Sequence, residues 1–195
     1  MSRARRLLLP AALLVAIVTV EGGCGSSSEP AADTPTPMAT KRRAEQALKG
    51  APAPLAELHA QGGTLIDGGA EAFEARVAKL RGHPVVVNKW ASWCPPCRAE
   101  FPFFQKQAIK RGREVAFVGV DSQDNDADAA EFLAEYPVPF PSYKDPDLKI
   151  AAAMKAVGAF PSTVFYDERG EIVHLKQGGY ATERELAADI ERYAR

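Results

Sequence analysis

Cys94 and Cys97 stand at the seam between a β-branched run and a helical pattern, and that seam constrains the chain more than any other feature. Val85-Val86-Val87 follows Pro84 and continues to Trp90, as expected of a buried central strand. Cys97 to Lys110 has helical periodicity. A strand entering a helix through Trp90-Ala91-Ser92-Trp93-Cys94-Pro95-Pro96-Cys97 puts Cys94 at a helix N-terminus. There the unpaired amides and the helix dipole favour a thiolate over a thiol. Thiol pKa values fall to about 3.5–7.5 in such settings, from about 8.5 when free. The thiolate is the species that attacks a disulfide. Cys97, one turn further in, is expected to be the more buried of the two and to resolve a mixed disulfide formed at Cys94. The Cys94 sulfur is expected at the exposed tip of the helix. Pro95 and Pro96 stiffen the first turn, where an amide would lack an intrahelical partner anyway.

The rest of the body alternates strands with helices. Val115 to Val120 is a second β-branched run ending at Asp121, Thr163 to Tyr166 a third, and Ile172 to Leu175 a fourth after the Asp167-Glu168-Arg169-Gly170 turn. Ala127 to Tyr136 and Asp147 to Val157 are read as helices, the first entered through polar capping residues. Thr182 to Tyr193 is a last helix, with Thr182 and Glu185 fitting a capping box and Leu186 and Ile190 on one apolar face. Upstream, Ala70 to Leu80 has Phe73, Val77 and Leu80 at helical spacing, ended by Gly82. Thr64 to Asp67 is a short strand or turn between glycine pairs. This order predicts an α/β fold with a central mixed sheet and helices on both faces, over residues 62–195. Residues 41–61 are expected to form an N-terminal helical extension, with helices at Lys41 to Lys49 and Leu55 to Ala60 separated by the prolines of Gly50 to Pro54.

The first forty residues carry an address and a spacer. Arg3, Arg5 and Arg6 precede an apolar run from Leu7 to Val20, then Glu21-Gly22-Gly23-Cys24. This is a secretory signal over residues 1–23, shorter than the roughly 18 or more apolar residues of a membrane span. Cys24 follows two glycines as in a bacterial lipobox, which attaches lipid to the thiol. Glu21 departs from that pattern at a position normally apolar. Ordinary signal cleavage nearby and an uncut anchor are the other readings. Residues 24–40 are rich in Ser, Pro and Thr and are expected to be a flexible tether.

The cysteine pair admits three chemistries. A structural zinc site needs two more ligands, and neither a second Cys-x-x-Cys nor a histidine pair is present. No metal site is therefore expected. An inert disulfide suits an exported protein, but the strand-to-helix junction beside Trp93 favours an active one. A net charge of −1 with both signs mixed gives no footprint for nucleic acid. Exchange between sulfurs requires no cofactor.

Trp93-Cys94-Pro95-Pro96-Cys97 resembles the active site of thioredoxin-fold proteins, and is most similar to the exported, membrane-anchored TlpA/ResA branch. Cys97-Arg98-Ala99-Glu100-Phe101-Pro102 continues the motif as that branch does. Asn88 stands where cytoplasmic thioredoxins carry a buried aspartate, and Phe160-Pro161-Ser162-Thr163 stands where the family has its cis-proline loop. The resemblance covers about Leu65 to the C-terminus and implies a thioredoxin-like fold. It implies a cis Pro161 facing Cys94, with Phe160 offering its backbone to an extended substrate and Trp93 covering the disulfide. It gives Glu100 a role in handling the exchange proton; a solvated glutamate of the first helical turn is the bland alternative. It implies protein disulfides as substrates, apocytochrome c among them, a membrane thiol as electron donor, and tethering to the outer face of the bacterial cytoplasmic membrane. The same residues run as an oxidase if the couple is strongly oxidising. A copper chaperone is the rival from another class, since soft thiolates suit Cu(I), with His174 the one distant candidate for a third ligand. Lys89 is unusual on so apolar a strand and has no assigned role.

Overall fold

Residues 85–90 are buried at every position, because the strand they form has helices on both sides of it. The computed structural model describes residues 36–195. In chain order these form α1 (Pro37–Ala47), α2 (Ala53–His59), β1 (Leu65–Ile66), α3 (Gly69–Lys79), β2 (Val85–Trp90), α4 (Pro95–Arg111) and β3 (Ala116–Ser122). They continue as α5 (Asp126–Glu135), β4 (Ser142–Asp145), α6 (Lys149–Ala153), β5 (Ser162–Tyr166), β6 (Ile172–Gln177) and α7 (Glu183–Tyr193). The sheet runs β1-β4-β3-β2-β5-β6. Its β1, β4, β3 and β2 are mutually parallel, while β5 runs antiparallel to both its neighbours, β2 and β6.

The two-residue period of β2 sends alternate side chains to opposite faces. Val86 and Trp90 pack with Phe101 and Phe104 of α4, Phe132 of α5, and Leu186 and Ile190 of α7. Val85 and Val87 pack on the other face with Leu55 and Leu58 of α2, Phe73 and Val77 of α3, and Ile150 of α6. The mixed sheet covered on both faces is the architecture expected. The topology brings the carboxyl end of β2, the start of α4 and the start of β5 to one edge of the domain.

Three local expectations need correction. The first helix begins at Pro37, so Pro37 to Thr40 are its first turn and not the end of a tether. Thr36 caps it by accepting from the Ala39 amide, and Pro37 suits the first helical position. The helix expected over Asp147 to Val157 contracts to α6, because Leu148 and Lys155 adopt left-handed backbone at φ 59° and 61° and bracket it. β4 was unforeseen. Pro139 and Pro141 before it and Pro146 after it obscure the strand pattern, yet it pairs with β3 from Gly119↔Ser142 to Ser122↔Asp145. Residues 1–35, with the signal segment, Glu21 and Cys24, lie outside the described residues. Among the described residues no helix is long and apolar enough to cross a membrane.

Candidate active site

Cys94 is the N-cap of α4. Its extended backbone turns the chain from the end of β2 into the helix, and its Sγ accepts a hydrogen bond from the Cys97 amide at 3.2 Å. Pro95 and Pro96 fill the first helical turn. The two cysteines are joined as a disulfide. An N-cap acceptor held by a helix amide is the geometry that stabilises negative charge on sulfur once the bond is reduced.

Burial departs from expectation at one sulfur. Cys97 is fully buried, as expected, but Cys94 is only 2% exposed and does not sit at an open tip. A loop distant in sequence packs against the apolar cluster that contains both cysteines, through Phe160, whose ring meets that of Trp93 at 4.9 Å. Trp93 itself stays 54% exposed, with Nε1 donating to the Gln123 carbonyl at 2.9 Å. The Trp93–Phe160 contact thus closes the loop before β5 onto the residue preceding Cys94. The Phe160–Pro161 peptide is cis. Pro161 O accepts from the Gly178 amide at 2.9 Å, and Ser162 Oγ donates to Ala159 O at 2.8 Å, so the turn is fastened at both ends.

Glu100 is fully buried and is not a solvated first-turn glutamate. Its Oε1 accepts from Asn88 Nδ2 at 2.6 Å and its Oε2 from the Tyr180 amide at 2.9 Å. Burial pushes its carboxyl up to about 7, against the opposing pull of the Tyr180 and Asn88 hydrogen bonds and the Lys176 charge. Gly179 shows how tightly this corner is assembled. A Cβ there would lie 3.5 Å from Glu100 Oε2, 3.5 Å from Pro161 Cγ and 3.7 Å from Pro96 Cβ. The glutamate, the cis-proline and the first turn of α4 therefore converge on one point.

A second carboxylate group supports the approach to Cys94. Asp124 accepts from both the amide and the hydroxyl of Ser92, and Arg98 Nη1 donates to Ser92 O at 3.2 Å. Behind them Asp121, at the end of β3, is buried and pushed up to about 8, first by desolvation and then by the adjoining Asp124. Ser92, Asp121, Gln123, Asp124 and Tyr180 were not foreseen as site residues. Only Ser92, inside the motif, carried a local signal. His174 lies on β6 opposite Phe165 and stacks on Tyr193 at 3.9 Å. That is three rungs down the ladder from Ser162, roughly 10 Å from the cis-proline end. Among the described residues no group of three or more His, Cys, Asp or Glu side chains is arranged to hold a metal ion.

The Redoxin family matches residues 49–190. The chain is 32% identical over 112 residues to the thiol-disulfide oxidoreductase ResA of Oceanobacillus iheyensis, across 56% of this chain and 57% of that protein. It is 38% identical over 96 residues to the thiol:disulfide interchange protein DsbE of Pseudomonas fluorescens, across 49% of this chain and 52% of that protein. The matched segment thus spans little more than half the length of these curated relatives. Among solved structures, the chain resembles a secreted Mycobacterium tuberculosis disulfide oxidoreductase homologous to Escherichia coli DsbE. The TM-score is 0.54 at 28% identity, over 59% of this chain and 85% of that one. MTB dsbF, solved in mixed oxidized and reduced forms, matches with a TM-score of 0.53 at 32% identity, over 58% of this chain and 82% of that one.

Proposed function

The chain belongs to the redoxin family, and on that premise we propose that it is an extracytoplasmic thiol–disulfide oxidoreductase that reduces disulfides in exported proteins. The observation that carries the reading is Cys94 at the N-cap of α4, bonded to Cys97 and joined through Trp93 to the loop of the cis Phe160–Pro161 peptide.

In the reduced protein the Cys94 thiolate attacks one sulfur of the client disulfide. A mixed disulfide forms, and the first client sulfur leaves as a thiolate and takes up a proton. Cys97 loses its proton, attacks Cys94 Sγ and restores the Cys94–Cys97 bond, releasing the second client sulfur. Two electrons pass from the pair to the client, and a membrane thiol donor returns them. Glu100, one helical turn beyond Cys97 and with a pKa about 7, is suited to take up the Cys97 proton at neutral pH and pass it to the leaving thiol. The exposed Trp93 and the backbone of Phe160 form the client-facing rim, and a client reaches Cys94 by displacing the Trp93 ring.

Apocytochrome c, with its haem-attachment cysteines, is the client this reading selects, in keeping with the TlpA/ResA resemblance. The basic start, short apolar run and Gly22-Gly23-Cys24 support export and a lipid anchor on Cys24, with residues 25–35 as spacer. Loss of radiolabelled fatty acid from Cys24→Ala cells would establish the anchor; undiminished label would remove it.

The decisive experiment mixes pre-reduced protein with a peptide carrying a Cys-x-x-Cys-His disulfide. Wild-type protein is expected to reduce it, Cys94→Ala to leave it untouched, and Cys97→Ala to accumulate a mixed disulfide at Cys94. Reduction that survives Cys94→Ala would end the reading. A reduction potential near that of strong protein oxidants would reverse the direction of transfer.

A further inference from the structure

Lys89 has no solvent exposure, although it carries an ammonium group in the middle of the sheet. On β2 it stands between Val120 of β3 and Ser162 of β5, the residue directly after the cis-proline. Its Nζ donates to Val157 O at 3.2 Å and lies 3.9 Å from the centre of the Phe160 ring. Burial lowers the Lys89 pKa, and the field of Asp145, on the same face, opposes that shift. The Asp145 carboxylate is already engaged by Ser122 Oγ and by the Ile150 and Ala151 amides at the start of α6.

Such a lysine is poorly explained by stability. Replacing a buried ion by an apolar side chain of similar volume is commonly neutral or stabilising, because desolvation consumes what the charge returns. Both contacts of the ammonium fall on one segment, Val157 to Phe160, which leads into Pro161. That segment contains Gly158, ends on the ring that meets Trp93, and has one other fastening from below, Ser162 Oγ to Ala159 O.

We propose that Lys89 is a positioning residue for client docking. Its ammonium clamps Val157 to Phe160 from beneath, by hydrogen bond and cation–π contact, and so sets the ring and backbone that receive an extended peptide. It governs affinity for clients that pair with the loop and leaves the sulfur exchange itself alone. The inference rests on the oxidoreductase reading above and adds to it a determinant of client class: disulfides flanked by extended backbone gain from the clamp, and small disulfides do not.

The test compares wild type with Lys89→Met, which keeps the length of the side chain and removes its charge. Pre-reduced proteins are mixed with the Cys-x-x-Cys-His peptide disulfide over a range of concentrations, and separately with hydroxyethyl disulfide, which has no backbone to pair. In Lys89→Met the half-saturating peptide concentration should rise about tenfold, equivalent to roughly 1.4 kcal/mol, as a desolvated cation–π contact provides. The rate at saturation and the hydroxyethyl disulfide rate should stay within about twofold, since neither depends on docking. The Gly158 amide and Phe160 ring resonances should shift without any substrate present. Unchanged half-saturation, or equal losses on both disulfides, overturns the inference. So do unmoved Gly158 and Phe160 resonances, whatever the activity. If wild type reduces neither disulfide the oxidoreductase reading fails by itself, and the resonances still decide whether the clamp exists.

Discussion

Glu100 should make the protein less stable as pH rises through neutrality, and Glu100→Gln should remove that dependence. A carboxyl raised from its ordinary 4.5 to about 7 binds its proton more tightly in the native state than in the unfolded one. Between those two values the native protein holds the extra proton, so stability falls as pH rises across that window and levels off above it. At about 1.4 kcal/mol per pH unit, the full fall is roughly 3 kcal/mol. Glutamine keeps the shape of the carboxylate and removes its titration, at a pH-independent cost of one orphaned amide donor. Its oxygen can accept from the Tyr180 amide, and its amide can donate to Asn88 Oδ1, which has no hydrogen-bond partner among the described residues, once Asn88 turns its amide over. Urea unfolding followed by tryptophan emission from about pH 5 to about pH 8 measures both proteins. From the acid to the alkaline end the difference between the two should move by up to about 3 kcal/mol in favour of Glu100→Gln. Asp121 contributes a fall of the same sign in both proteins and cancels in the difference. Parallel curves would refute the reasoning, because they would mean that Glu100 keeps its ordinary acidity despite its burial.

Asp121→Asn should flatten the fall that remains, since Asp121 is raised from 3.8 to about 8 and its cost grows as pH rises through that window; urea midpoints across the same pH series check it. Glu100→Gln should also slow resolution of the mixed disulfide by about 10²–10⁴-fold if the carboxyl moves the exchange proton, read by quenched-flow trapping at neutral pH. Ser92→Ala deletes one of the two hydrogen bonds to Asp124 and should cost about 1 kcal/mol in denaturant stability. Gly119→Ala drives a methyl into Ser142 Oγ and to 3.0 Å from Trp90 Nε1, breaking the Trp90–Ser142 hydrogen bond. It should destabilise the fold by about 1–3 kcal/mol, measured by thermal or urea unfolding.

The parts of this protein readable without a structure are those written within one stretch of chain. The valine run, the switch to helical period at Cys94, the prolines of the first turn and the Thr182 cap all act between neighbours. They placed β2, α4, α7 and the redox pair correctly. Where flanking residues opposed a local signal, the reading failed, as at β4 between its prolines and at the clipped ends of α6. The partners of the site were beyond such reading. Glu100 owes its raised pKa to burial under packed elements, and the Asn88 and Tyr180 groups that hold it and oppose that rise come from 12 and 80 residues away. Phe160 folds back on Trp93, the neighbour of the buried Cys94, and Lys89 finds its acceptor 68 residues downstream. Hydrophobic period and capping are short-range chemistry, so the sequence alone determined that two sulfurs meet at a helix start. Desolvation and long-range hydrogen bonding exist only once strands and loops have packed, so tertiary structure alone decided how deeply those sulfurs are buried, which carboxyl on α4 has its pKa raised and what packs against the loop of the cis-proline.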